Sequence, residues 1–160
     1  MSYWVVTGAN RGIGLGIAAC CLSNGADKVY SIDIGETGEE FAALAKSYPD
    51  RVFAVNANVA EEATIAAAVD QIIAEAGALH GMVANAGRTH HKAALDFTKE
   101  EIENLFNVNL FGSFYTARAA ARAFIKLGIK GSIVFTASMA SYRPNKVGPC
   151  HIPWFSFIFK

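Results

Sequence analysis

Apolar residues along the chain form short continuous runs, alternating with stretches in which they recur every three or four positions. Trp4 to Thr7 reads as a strand closed by Gly8, and Ile13 to Leu22 as a helix stopped at Asn24-Gly25. A second apolar run from Lys28 to Ile32 ends at Asp33. Glu36 to Lys46 fits a helix with Phe41 and Leu44 turned to the core, broken at Pro49-Asp50. Val52 to Val55 is a third strand. Asn58 is placed to cap a helix from Glu61 to Glu75, with Ile65, Ala68, Val69 and Ile72 as its apolar stripe. Gly77 stops it. Leu79 to Ala84 follows as a fourth strand leading into Asn85-Ala86-Gly87. After a loop from Arg88 to Phe97, Thr98 and Glu101 form a capping-box pattern. Helical character then continues to Leu127 despite Gly112, and Ile133 to Thr136 is a fifth strand. Strands alternating with helical patterns predict an α/β fold, a doubly wound parallel sheet in a three-layer αβα arrangement buried on both faces.

Composition narrows this picture. With 160 residues and 52% of them hydrophobic, the chain can bury a substantial single core. Its formal charge is zero and its charged fraction 18%, which lacks the cationic excess of a nucleic-acid binder. No apolar run is long enough to span a bilayer, and MSYWVV is not a secretory start, so no membrane partner and a cytoplasmic location are expected. Cys20, Cys21 and Cys150 read as buried free thiols rather than as zinc ligands or a disulfide framework. The histidines, including His90-His91, form no metal-ligand pattern, so no metal site is expected.

The stretch VVTGANRGIGLG, Val5 to Gly16, carries the candidate chemistry. A glycine turn after a strand permits positive φ and close approach, and the first amides of the following helix are free to meet a phosphate. A GxGxxA frame on Gly14, Gly16 and Ala19 begins too far into the helix. The better frame is Thr7-Gly8 with Gly12 and Gly14, in which Gly8 allows the turn, Gly12 the approach of a pyrophosphate and Gly14 close helix packing. Ile13 is grouped with them as a cofactor-binding residue. Asp33, at the end of the second strand, can accept hydrogen bonds from an adenosine ribose and repel a 2′-phosphate, which favours NAD. Arg11 suits an additional phosphate and leaves NADP open. A solvent-facing arginine and a helix-associated aspartate are the plain alternatives.

The TGxxxGxG spacing, Asn85-Ala86-Gly87 after the fourth strand, Asn109 in NVNLFG and Ser138 in FTASMAS together resemble the short-chain dehydrogenase/reductase family. A finer likeness is to its fungal sorbose-reductase or polyol-dehydrogenase branch. The resemblance implies a Rossmann-like fold and an NAD(P)-dependent oxidoreductase of a small alcohol, ketone or sugar-like substrate, expected as a homo-oligomer. It also implies that Asn85, Ala86 and Gly87 support the sheet and shape the cofactor cleft. Asn109 would hold a local helix distortion and a proton route, and Ser138 would hydrogen-bond the substrate oxygen. Asn58 stands where many members have an acid that contacts the adenine edge, and serves equally well as a helix cap.

In the family a tyrosine exchanges the oxygen proton while a lysine four positions later lowers its pKa. Tyr142 and Lys146 match that spacing, but Tyr142 follows Ser138 by only four residues and Pro144 interrupts the helix between them. The pair is read as a decoy, so the family resemblance leaves activity of this chain open. The chain divides into a partial dinucleotide-binding domain over residues 1–146 and an atypical tail over 147–160, making the fold incomplete at its C-terminal end. That tail, VGPCHIPWFSFIFK, is expected to reflect read-through, alternative splicing or a frameshift, which reads across the Lys146 codon decide. A noncatalytic nucleotide-binding or interaction role is the alternative.

Overall fold

A computed structural model of the protein describes residues 1–138. The elements run β1 (Tyr3–Thr7), α1 (Gly12–Ser23), β2 (Lys28–Asp33), α2 (Glu39–Ser47), β3 (Val52–Asn56), α3 (Glu62–Ala76), β4 (Gly81–Ala84), α4 (Lys99–Phe106), α5 (Ser113–Leu127) and β5 (Ser132–Phe135). Every strand pairing is parallel, in the order β3-β2-β1-β4-β5. The result is a three-layer Rossmann-like sheet, with successive strands running outward from β1 on one side and then on the other.

Period-two alternation builds the layers. Val5, Tyr30 and Met82 pack with Ile65, Val69 and Ile72 of α3 and with Ala120 and Phe124 of α5. Their neighbours Val6, Val29 and Val83 pack on the opposite face with Ala18 and Leu22 of α1. α1 is apolar nearly all round, yet only Gly14, Leu15, Ala18 and Leu22 are buried, so packing rather than composition selects its inner face. Cys20, expected to be buried, is exposed on its outer side and Cys21 is half-buried. The expected burial of both faces does not extend to β5. Val134, in register with Val83, remains 47% exposed.

Two boundaries moved for identifiable reasons. The helix expected from Glu61 has Glu61 as its N-cap, while Asn58 forms the turn before it. There Asn58 Oδ1 accepts the Ala60 amide at 3.1 Å. The long helix expected from Lys99 to Leu127 is three segments, because a π-helical stretch from Asn107 to Gly112 separates α4 from α5. The capping box on Thr98 and Glu101 is present as expected. The boundary at Lys146, the tail, Tyr142 and Lys146 itself lie outside the described residues.

Candidate functional site

The order β3-β2-β1-β4-β5 places the sheet's switch point between β1 and β4, and in such sheets a crevice opens there beyond the carboxyl ends of the strands. The β1–α1 loop forms one wall. Gly8 and Gly12 have φ of +68° and +58°, in the left-handed region that favours glycine. A Cβ on Gly8 would approach Ala86 Cα to 2.9 Å, whereas one on Gly12 would meet nothing within 4 Å. Gly8 is therefore required by the protein's own packing, and Gly12 leaves open space over the loop. A Cβ on Gly14 would overlap the Gly8 carbonyl and come within 2.7 Å of Asn85 Nδ2, while one on Gly16 would meet nothing. Of the glycines in α1, only Gly14 is at a close approach. The Leu15 amide donates to the Arg11 carbonyl, which leaves the amides of Gly12, Ile13 and Gly14 without intrahelical acceptors. Ile13 is 74% exposed beside them, an apolar side chain at the rim of the loop. Arg11 is also exposed and has no ion-pair partner among the described residues.

Asp33 lies at the end of β2 and is fixed there. Its Oδ2 accepts the Asn10 amide at 3.1 Å and its Oδ1 the Gly35 amide at 3.0 Å, which leaves further lone pairs on both oxygens. Asn10, unassigned by the sequence reading, organises this corner. It is 6% exposed, donates through Nδ2 to the Gly35 carbonyl at 2.6 Å and accepts from Ser31 Oγ at 2.7 Å. No local signal marked it, because its partners Ser31, Asp33 and Gly35 lie 21 to 25 residues further along the chain. Asn58 lies beyond the end of β3, donating through Nδ2 to Glu61 Oε1 at 2.8 Å.

Across the crevice, Asn85 ties three strand ends together. Its Nδ2 donates to the Thr7 carbonyl and its Oδ1 accepts from Thr136 Oγ1, each at 3.0 Å. Thr7 Oγ1 in turn accepts the amides of Asn85 and Ala86, both at 3.0 Å. In the sequence Thr7 is visible only as the first residue of the glycine motif, not as the acceptor that joins β1 to the loop after β4. Gly87 follows, where a Cβ would stand 3.4 Å from Asn109 Oδ1. Asn109 sits within the π-helical stretch. Its amide brackets Arg88, with Oδ1 accepting the Arg88 amide and Nδ2 donating to the Arg88 carbonyl, each at 2.9 Å. Ser138 is exposed three residues beyond β5. Among the described residues, no group of histidine, cysteine and acidic side chains could hold a metal, and no helix is long and apolar enough to cross a membrane.

At the start of α4, Lys92 Nζ donates to Glu101 Oε2 at 2.6 Å, and the Thr98 amide donates to the same oxygen at 2.9 Å. The Lys92 hydrogen bond, followed by that of Thr98, holds the Glu101 carboxyl below the usual carboxylate range. Because the folded-state pKa is depressed, the stabilisation is present above the ordinary carboxylate value and lost as pH falls through the depressed one. Glu101→Gln keeps an acceptor for the cap but removes the charge. Wild type is expected to exceed Glu101→Gln in stability near neutrality, with the gap closing in acid, as measured by urea midpoints across pH.

A glycine loop opening a helix at the switch point, faced by a fixed aspartate, defines a parallel α/β domain of the dinucleotide-binding class. A family model described as "short chain dehydrogenase" matches residues 3–151, and the chain belongs to this short-chain dehydrogenase/reductase family, which has an NAD(P)-binding fold. The match reaches five residues past Lys146, where the sequence resemblance was expected to stop. Among curated relatives, the chain is similar to L-2,3-butanediol dehydrogenase of Corynebacterium glutamicum, with 31% identity over 87% of this chain and 55% of that protein. It is also similar to 3-phenylpropionate-dihydrodiol/cinnamic acid-dihydrodiol dehydrogenase of Escherichia coli strain K12 / DH10B, with 33% identity over 91% of this chain and 54% of that one. The chain therefore spans about half the length of these relatives. A solved short-chain type dehydrogenase/reductase from Mycobacterium marinum superposes with a TM-score of 0.84 at 29% identity, covering 92% of this chain and 60% of that one. A short-chain dehydrogenase from Streptomyces avermitilis gives 0.77 at 30% identity, covering 88% and 50%. These likenesses support the family and not a particular fungal branch of it.

Proposed function

We propose that the protein is an NAD(P)-dependent oxidoreductase of small alcohols or carbonyl compounds, with NAD preferred. The observation that carries this reading is Asp33, fixed by two backbone amides at the end of β2 beside an open glycine loop. In this reading the free amides of Gly12, Ile13 and Gly14 hold the pyrophosphate. Asp33 accepts the ribose hydroxyls, and its charge opposes a 2′-phosphate. Arg11 steadies the phosphates, and Asn58 offers its remaining amide proton to the adenine edge. Asn85, Ala86 and Gly87 shape the floor of the cleft. When bound, the nicotinamide group supplies or accepts hydride. Ser138 orients the reacting oxygen, and Asn109 holds the segment through which its proton is relayed. Two relatives named for diols support a small polyhydroxy substrate, and a polyol or ketose of the sorbose-reductase kind belongs to the same class.

Calorimetric titration of the full chain with NADH and NADPH tests this. Saturable binding with NADH favoured is expected, and Asp33→Asn should reduce that preference about tenfold, equivalent to roughly 1.4 kcal/mol. No saturable binding of either cofactor would overturn the reading. A noncatalytic nucleotide-binding role is favoured by the spacing of Tyr142 from Ser138 and by Pro144. Cofactor binding without NADH oxidation across a panel of ketones and sugars supports that second role. Oxidation that disappears in Tyr142→Phe refutes it.

A further inference from the structure

We propose that Arg88, held by Asn109 and His90, forms an anion-binding wall beside the substrate position, so that the preferred substrates are alcohols or carbonyl compounds bearing a carboxylate or phosphate group. This rests on the oxidoreductase reading and narrows its substrate class.

Arg88 directly follows Gly87 at the carboxyl end of β4, and the Asn109 side chain grips its backbone from both sides at 2.9 Å. Its position relative to the proposed proton-relay segment is therefore set. The guanidinium Nη2 contacts His90 Nε2 at 3.1 Å. A guanidinium has only donors, so in this contact the imidazole nitrogen is the acceptor. The imidazole thus positions the guanidinium without cancelling its charge. The His90 ring is itself set edge-on to Phe97, with ring centroids 6.5 Å apart.

Several other basic groups are engaged elsewhere, while Lys28, Lys46 and Lys130, like Arg88, have no ion-pair partner among the described residues. Arg118 and Arg122 pair with Glu62, and Arg51 donates to the carbonyls of Leu22, Ala26 and Asp27. Lys92, in the same loop as Arg88, is neutralised by Glu101. Among the described residues, no carboxylate pairs with Arg88 or with Arg11. Arg11 stands at the cofactor loop, where a pyrophosphate supplies the counter-charge. Arg88 stands on the other wall, beyond β4, where the cofactor reading supplies none. A planar fork of donors matches a carboxylate or phosphate in two parallel hydrogen bonds, which makes an anionic substrate group its complement.

The test uses the full chain saturated with NAD+, which has no hydride to give, so that carbonyl ligands bind without turnover. Acetoacetate is titrated against methyl acetoacetate, and 2-oxopropylphosphonate against its dimethyl ester, none of which carries an alcohol for NAD+ to oxidise. The charged member of at least one pair should bind at least about tenfold more tightly, with the pair identifying the anionic group. Arg88→Gln should abolish the difference while keeping NAD+ affinity and the circular dichroism spectrum. Lys99→Gln, an equal loss of charge on the exposed side of α4, should leave the difference intact. Equal binding within both pairs, binding of neither anion, or a preference that survives in Arg88→Gln overturns the anion wall alone. Failure of NAD+ to bind overturns the oxidoreductase reading and the substrate assignment with it.

Discussion

Gly14→Val is expected to lower NADH affinity by about 10- to 100-fold and to destabilise the fold by about 1–3 kcal/mol, the range for overpacking a close-packed contact. The first atom of any side chain at position 14 overlaps the Gly8 carbonyl and crowds Asn85 Nδ2. Neither neighbour can swing aside. Gly8 lies in a left-handed turn whose amide donates to the Ile32 carbonyl at 2.8 Å, and Asn85 is tied to Thr7 and Thr136. The strain must therefore move the loop itself, displacing the amides proposed to hold the pyrophosphate. Gly16→Ala provides the contrast, because the same helix has open space there. It should leave NADH binding unchanged and raise stability by about 0.5–1 kcal/mol, since alanine loses less backbone freedom than glycine in a helix. Cofactor titration and thermal melts of both variants check the pair. Equal effects at positions 14 and 16 would revive the GxGxxA frame.

Thr7→Val is expected to cost about 1–3 kcal/mol, although it conserves shape and removes no apolar contact. Thr7 is 1% exposed, and its hydroxyl oxygen accepts the amides of both Asn85 and Ala86. Valine leaves those two donors facing a methyl group. Because the amides belong to the loop that carries Asn85, the link between β1 and β4 should loosen with the hydrogen bonds. Urea unfolding should show a lower midpoint with little change in slope, and Thr7→Ser, which restores the acceptor, should recover most of the loss. A Thr7→Val midpoint equal to wild type would show that water replaces the hydroxyl.

These two residues show where sequence reading stopped. The glycine frame was legible because positive φ and close approach exclude side chains, so the requirement is written in residue type. Thr7 belongs to the same motif, but its role depends on amides 78 and 79 positions away. Asn10 was invisible for the same reason, since its partners arrive only when β2 is placed beside β1. Asparagine favours a cap, which makes Asn58 an equal candidate for a cap and an adenine contact from sequence alone; in the fold it forms the turn before the helix, with Glu61 as the cap. The break at Asn107–Gly112 was foreshadowed by Gly112 and by the resemblance around Asn109, but periodicity alone could not distinguish a π-helical stretch from a continuing helix.

The sequence by itself determined the α/β class, the five strands, the capping box and the glycine cradle. Each follows from local stereochemistry or from the two- and three-to-four-residue periods of buried side chains. Only the tertiary structure decided the order β3-β2-β1-β4-β5, the corner that fixes Asp33 and the grip of Asn109 on Arg88. Strand order and hydrogen bonds between distant residues depend on which apolar faces meet during packing, and no local window of the chain contains both partners.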